Sequence, residues 1–359
     1  MRDNTADYYE SSEFQQILQK FEEMIDNGST LYLDASDIAD IVDYYVLSSE
    51  QEKVETALEY GMRLHPNDTD IIIANINNLL AQGNTKMARQ FAEMLEDPTN
   101  QEILYIKGLV ELADDNTQES RAYFDQSFNN SNNDLSLIDD IILELTNKNY
   151  DDEVQYWLDI AFEKMTKPIP IFYEYQADLY YRINQHDKAI EWYNKQLDIF
   201  PFDSYPWEQI GKIYFLREDY TKARECYEYA LAINDDNHEA MLMKADCYIN
   251  IHDYKTALNL YKELLEKAKE YENILTYCCG KCHFHLHNYD LAMEYLTRTE
   301  ENLDENDSEK LYIEVYNLMA RIHIVKRNED EALKYIYKGL AIDPDDIELN
   351  LLINMTKQL

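Results

Sequence analysis

Glycine and proline are scarce in this chain, with seven of each among 359 residues, against average usages of about 7% and 5%. Sandwiches, barrels and propellers need a tight turn every few residues, so the scarcity argues against those architectures. Basic residues are scarce too, because 32 Lys and Arg stand against 71 Asp and Glu, a formal net charge of −39. Association with phosphate requires clustered Lys and Arg, so this charge argues against nucleic-acid binding.

Long apolar runs are also missing from the sequence. The first residues, Met1–Asp7, contain no hydrophobic segment that would predict a secretion signal. No apolar run approaches the roughly 18 residues of a membrane span. The five cysteines are an odd, clustered set, which does not predict a disulfide framework. We therefore expect a cytoplasmic protein without a membrane segment.

Apolar and aromatic residues are abundant. Apolar residues make up 45% of the chain, and 31 residues are Tyr. This composition is too hydrophobic for a disordered chain. Together with the shortage of turn formers, this composition predicts a long, mostly helical, acidic protein.

A spacing of small and aromatic residues recurs along the second half of the chain. It is clearest in the segment that begins at Trp207 and continues through Gly211, Tyr214, Ala223 and Tyr227. The same spacing returns 34 residues later and 34 residues earlier. The later copy contains Ala245, Tyr248, Ala257 and Tyr261, and the earlier copy contains Ala177, Tyr180, Ala189 and Tyr193. A fixed period of this length predicts a repeat architecture.

This pattern resembles the tetratricopeptide repeat (TPR) family, which has small residues at positions 8 and 20 and aromatics at 11, 17 and 24. The resemblance implies an all-α, right-handed superhelical solenoid of about nine helix-turn-helix repeats. Gly108, Gly211 and Gly280 then fall on the close-packing position 8. Position 20 is predicted at Val54, Ala88, Ser120, Glu153, Ala189, Ala223, Ala257, Ala292 and Ala332.

The predicted domain organisation has three parts. Residues 1–34 form an N-terminal segment with a capping helix, 35–346 form the solenoid, and 347–359 form a C-terminal capping helix. The first four repeats depart from the pattern, and 170–346 is clearest. Each repeat buries its apolar face on a neighbour, so terminal units need caps. An alternative for the N-terminal helix is that it folds into the groove and competes with a ligand. The acidic stretch Glu300–Glu309 predicts a longer loop.

A ligand site follows from the resemblance, because positions 2, 5, 9, 12 and 13 of each first helix line the concave surface in this family. In the first four repeats these positions are mostly aliphatic: Val46, Leu47, Ile73, Leu80, Leu109, Leu112, Ile138, Ile142 and Leu145. The later repeats place cations beside aromatics, a combination suited to peptide side chains and carboxylates. The candidate peptide-binding residues are Tyr181, Arg182, Tyr205, Lys212, Phe215, Tyr277, Lys281, Phe284 and Arg321.

One cluster offers a different function. Cys279, Cys282 and His283 are spaced i, i+3, i+4 and would share one face of a helix, with His287 one turn further on. Thiolate and imidazole are zinc ligands, so a zinc-binding or thiol-dependent regulatory protein is the alternative. Packing side chains are the simpler interpretation of the same residues.

No catalytic template is visible, because the chain has no Gly-rich phosphate loop, no HExxH and no GxSxG sequence. The sequence thus predicts a non-enzymatic interaction adaptor without a cofactor, binding a protein or peptide in the concave groove. Nucleic acid and membrane are not expected partners. Self-association through a purely structural role stays open.

Overall fold

The computed structural model describes residues 8–28, 31–304 and 307–356, and all regular structure within these ranges is helical. The chain is an all-α repeat fold. It divides into two compact units, one ending at Lys167 and the other beginning at Pro168, and each is described by itself.

In the described part of the first unit, a leading helix is followed by four helix pairs. The leading helix packs Phe14, Leu18 and Phe21 against Ile38 and Tyr45 of the first pair in one core. The helices are α1 (Ser12–Asn27), α2 (Ala35–Leu47), α3 (Gln51–Leu64), α4 (Thr69–Ala81), α5 (Thr85–Glu93), α6 (Gln101–Ala113), α7 (Thr117–Asn130), α8 (Leu135–Asn147) and α9 (Asp151–Lys164).

In the described part of the second unit, five helix pairs are followed by a closing helix. Between α15 and α16 lies a short 3₁₀ turn, Lys269–Tyr271. The helices are α10 (Pro170–Arg182), α11 (His186–Ile199), α12 (Tyr205–Leu216), α13 (Tyr220–Ile233), α14 (His238–Asn250), α15 (Tyr254–Lys267), α16 (Glu272–His285), α17 (Tyr289–Asn302), α18 (Glu309–Val325), α19 (Glu329–Leu340) and α20 (Ile347–Thr356).

The same turn joins the two helices of every described pair. One residue of the turn has a positive φ, and the backbone N–H of the next residue donates to a carbonyl five residues earlier, at 2.8–3.0 Å. This arrangement satisfies carbonyls at the end of the first helix. The positive-φ residues, which define position 15 of each pair, are Ser49, Gly83, Asp115, Asn149, Asn184, Glu218, His252, His287 and Arg327.

Glycine at position 8 lets the two helices of a pair approach closely. A β-carbon on Gly108 would overlap the ring of Phe124, and one on Gly211 would lie 3.0 Å from the ring of Tyr227. In both pairs the facing ring stands sixteen residues after the glycine, at position 24. The close-packing role predicted for position 8 is therefore seen in these contacts.

The fourth pair differs by one residue from the register expected from the sequence. Its positive-φ residue is Asn149, which places Val154 rather than Glu153 at position 20. Val154 is fully buried, and its N–H donates to Tyr150 as that of Ala189 does to Gln185 in the next pair. Glu153 instead accepts from Arg121. The charge of Glu153 is therefore partly buried, and the ion pair with Arg121 satisfies it.

The aliphatic surface predicted for the first four repeats is largely wrong. Ile138, Ile142 and Leu145 are core residues, because a shift of one residue turns a side chain by about 100° around a helix. Ile73 and Leu112 are buried as well. Val46 and Leu47 are exposed, at 50% and 69%.

Forty residues separate Ala292 and Ala332 at position 20, and a longer first helix accounts for most of the excess over the 34-residue period. The helix α17 continues to Asn302, so the predicted loop 300–309 is shorter than expected. The helix α18 then begins at Glu309 and has 17 residues, against 13 in α14. At the end of the chain, α20 buries Leu349 and Leu352 in a core shared with Ala320 and Ile336.

Candidate functional site

The nine predicted binding residues all lie on the first helices of pairs in the second unit. The helix α10 carries Tyr181 and Arg182, and α18 carries Arg321. The remaining six lie on α12 and α16: Tyr205, Lys212, Phe215, Tyr277, Lys281 and Phe284.

A cavity of about 860 Å³ brings four of these residues together. Tyr277, Lys281 and Phe284 line it from α16, and Arg321 lines it from α18. The segment from Ile342 to Glu348 completes the wall. The cavity lies between two first helices, and its volume is sufficient for part of a peptide.

Arg321 already has partners within the chain. Its Nε donates to Oδ1 of Asn317 at 2.6 Å, and an Nη donates to Oε2 of Glu348 at 3.0 Å. Asn317 donates to the same Glu348 oxygen, also at 3.0 Å. Both side chains of the ion pair are substantially exposed, so the pair stabilises the fold by only about 0–1 kcal/mol. Arg321 is thus less available to a ligand than its sequence position suggested.

A second group of contacts surrounds Asp178 on α10. The hydroxyls of Tyr193 and Tyr205 both donate to its carboxylate, the latter at 3.0 Å. Burial raises the pKa of Asp178, while the two tyrosines, Arg182 and Lys212 lower it. Three predicted residues therefore act on one carboxylate that the sequence did not single out.

The same contact recurs two pairs later. Tyr261 donates to Asp246. Burial raises the pKa of Asp246, and Lys281 lowers it. In both pairs an Asp at position 9 faces a Tyr at position 24, fifteen residues on. This spacing is the signal in the sequence that could have found the acids.

Three of the predicted aromatic residues help to hold the repeat turns. Tyr181 and Phe215, at position 12, pack edge-on against His186 and Tyr220, the first residues of the following helices. Phe284 packs against Tyr289 in the same way, with ring centroids 5.8 Å apart. These rings are half-buried, so they have a structural contact besides any contact with a ligand.

The structure does not bring the residues of the zinc alternative into one site. Cys279 and Cys282 are fully buried, and burial raises the pKa of each thiol to about 12, which disfavours a thiolate ligand. His287 lies in the turn, with Nδ1 2.9 Å from the hydroxyl of Tyr289. Across the described part of the chain, no group of three or more His, Cys, Asp or Glu is placed to hold a metal.

His283 has a packing role instead. Its ring stacks on Tyr295, with centroids 5.4 Å apart, and His323 stacks on Tyr335 in the next pair at 5.6 Å. Burial lowers the pKa of both imidazoles. Both histidines stand at position 11, where the three preceding pairs have tyrosine.

Within the described ranges, the structure contains no helix long and apolar enough to cross a bilayer.

Comparison with known proteins agrees with the repeat pattern. Sequence models described as tetratricopeptide repeat match residues 214–275 and residues 176–203 and 313–346. Over 107 residues, 30% of this chain, the sequence is 33% identical to tetratricopeptide repeat protein 37 of Xenopus laevis. The aligned part spans 7% of that protein.

Solved structures of similar fold have low sequence identity. The C-terminal part of a TPR repeat-containing protein from Cytophaga hutchinsonii gives a TM-score of 0.49 at 15% identity, covering 78% of this chain and 99% of that one. A tetratricopeptide repeat protein from Parabacteroides merdae gives 0.46 at 16%, covering 72% and 98%. YrrB, described as a TPR protein with an unusual peptide-binding site, gives 0.45 at 21%, covering 56% and 98%.

Helix pairs that repeat along the chain, with the two helices in close contact at position 8, define an α-helical repeat protein. Three stretches of this chain, residues 176–203, 214–275 and 313–346, match the tetratricopeptide repeat. Proteins of the family are generally non-catalytic scaffolds.

Proposed function

We propose that this chain is a non-enzymatic adaptor that binds an extended peptide or a partner helix along the first helices of its second unit. The observation that carries the proposal is the cavity of about 860 Å³, which is lined by four of the nine residues expected to contact a ligand. A cytoplasmic location stays a prediction.

The physical basis is a rigid surface with fixed side chains. Each first helix is held by its turn and by packing against the second helix, so ordering the site on binding costs little free energy. Lys281 lies over the ring of Tyr277, 6.0 Å from its centroid, and Lys212 is exposed. Such cations beside aromatic rings suit peptide side chains and carboxylates.

Affinity capture from the native cell tests the proposal. The double variant Phe215→Ala with Lys281→Glu is expected to lose partner capture while its helical circular dichroism is unchanged. Phe215 also packs against Tyr220, so Lys212→Glu, which changes an exposed side chain, is a second variant.

The matched control is Lys255→Glu, which makes the same charge change at an exposed position on the second helix α15. Capture should be lost with Lys212→Glu and retained with Lys255→Glu. Equal capture by all variants would move the binding site to another surface.

A further inference from the structure

The charge at position 9 alternates through four consecutive helix pairs. Asp178 on α10 is followed by Lys212 on α12, Asp246 on α14 and Lys281 on α16, at intervals of 34 or 35 residues. We call these four residues the charge ladder. Their common register is set by the positive-φ turn, which follows each of them by six residues.

The two acids of the ladder are held in place by tyrosines of their own pairs. Tyr193 donates to Asp178, and Tyr261 donates to Asp246. Tyr205 adds a bond to Asp178 from the next first helix, so α10 and α12 lie side by side at this point. Two carboxylate oxygens offer about four acceptor sites, so each acid can still accept a bond from a ligand.

Each acid also interacts with the lysine of the following pair. Lys212 lowers the pKa of Asp178, and Lys281 lowers that of Asp246, so each lysine is near enough to act on the acid of the preceding pair. The fifth residue at position 9, Arg321, is not part of the ladder, because Glu348 and Asn317 already bind its guanidinium.

We propose that the charge ladder selects an extended peptide whose charges alternate in sign at every third residue, each opposite to the ladder residue it meets. The proposal rests on the proposed function and names the class of partner. Neighbouring packed helices lie about 10 Å apart. A peptide in the extended polyproline II conformation rises about 3.1 Å per residue with three residues per turn, so every third side chain faces the ladder. One helix pair therefore corresponds to about three peptide residues, as in Lys-Xaa-Xaa-Glu-Xaa-Xaa-Lys-Xaa-Xaa-Glu.

Two synthetic peptides of identical composition test the ladder by fluorescence anisotropy with the full chain. The alternating peptide has the order just given, and the blocked peptide has both lysines before both glutamates. In the blocked order two of the four charges meet a like charge, whichever way the peptide runs. The alternating peptide should bind about tenfold more tightly, a difference that shrinks as salt is added.

The decisive variant is Lys212→Asp with Asp246→Lys, which keeps the net charge and places both acids before both lysines. It should prefer the blocked peptide. The swap also keeps the number of tyrosine hydrogen bonds constant. The hydroxyl of Tyr227 at position 24 is buried and has no partner among the described residues. In the swapped variant Tyr227 gains an acceptor, and Tyr261 loses its own. Circular dichroism melting checks the fold, and Lys212→Glu alone, which should reduce the preference, serves if the swap unfolds.

The outcomes separate the ladder from the proposed function. Inversion of the preference by the swap supports the ladder. If both peptides bind equally well and Lys281→Glu abolishes that binding, the ladder is overturned and binding on the first helices is supported. Failure of both peptides to bind also overturns the ladder, and the capture experiment with Lys212→Glu then decides the proposed function by itself.

Discussion

The hydroxyl of Tyr193 donates to the carboxylate of Asp178, and the equivalent hydroxyl one repeat later, on Tyr227, is buried without an acceptor among the described residues. The difference lies at position 9 of the first helix, which holds Asp178 in one pair and Lys212 in the next. A lysine ammonium has no lone pair to accept a bond.

Removing these hydroxyls should therefore have unequal effects. Tyr193→Phe and Tyr261→Phe each take a donor from a largely buried carboxylate, and each should lower the free energy of unfolding by about 1–3 kcal/mol. Tyr227→Phe removes an unpaired buried hydroxyl and should be neutral or slightly stabilising. Urea unfolding followed by circular dichroism compares the three. A loss at Tyr227 equal to the others would contradict the paired-carboxylate account.

Gly108 should not tolerate alanine. In an open helix the change would stabilise by about 1 kcal/mol, because alanine is the better helix former. Here the new β-carbon would overlap the ring of Phe124, and overpacking of this kind costs about 1–3 kcal/mol. We expect a net loss of stability in thermal melts. The double variant with Phe124→Leu should recover part of it, whereas a rise in Tm for Gly108→Ala alone would show that the helices can separate without cost.

Glycine at the positive-φ turns should stabilise the fold. Glu218 has φ of 61°, a conformation that costs a residue with a β-carbon about 1–2 kcal/mol. Glu218→Gly removes that strain, although the greater freedom of glycine in the unfolded chain offsets part of the gain. We expect a raised melting temperature. Glu218→Ala, which removes the charge and keeps the β-carbon, is the control and should give no such rise.

Acidification should weaken the last two pairs of the second unit. Burial, with Lys262 nearby, lowers the pKa of His283, and Glu294 opposes the shift. Burial also lowers the pKa of His323. Glu331 opposes this shift, and Lys326 and Lys334 add to it. The unfolded chain therefore binds more protons than the folded one just below the unfolded pKa of about 6.5. Stability from these residues is present above that pH and is lost as the pH falls through it.

The measurement is hydrogen exchange of α16 to α19 between pH 7.5 and 5.5, corrected for the intrinsic rate. Local opening in this region should increase in acid. The double variant His283→Tyr with His323→Tyr, which places at position 11 the residue found there in the preceding pairs, should flatten the dependence. An unchanged pH profile in that variant would assign the acid sensitivity to carboxylates instead.

The sequence predicted the helix pairs well because their causes are local. Small residues at positions 8 and 20 and aromatics between them recur wherever two helices must pack closely, as Gly211 and Tyr227 do. The sequence predicts the fourth pair one residue early, because Glu153 and Val154 offer no small residue at position 20. Only the turn at Asn149 shows which of the two faces the core.

The sequence by itself determined an all-helical repeat architecture, since the period of small and aromatic residues and the shortage of glycine and proline admit little else. The tertiary structure alone decided which charged groups meet. Asp178 receives Tyr193 and Tyr205 from two other helices, and Arg321 is engaged by Glu348 of the closing helix. The physical reason is that helix periodicity acts over a few neighbouring residues, whereas these bonds join side chains 15 to 27 residues apart.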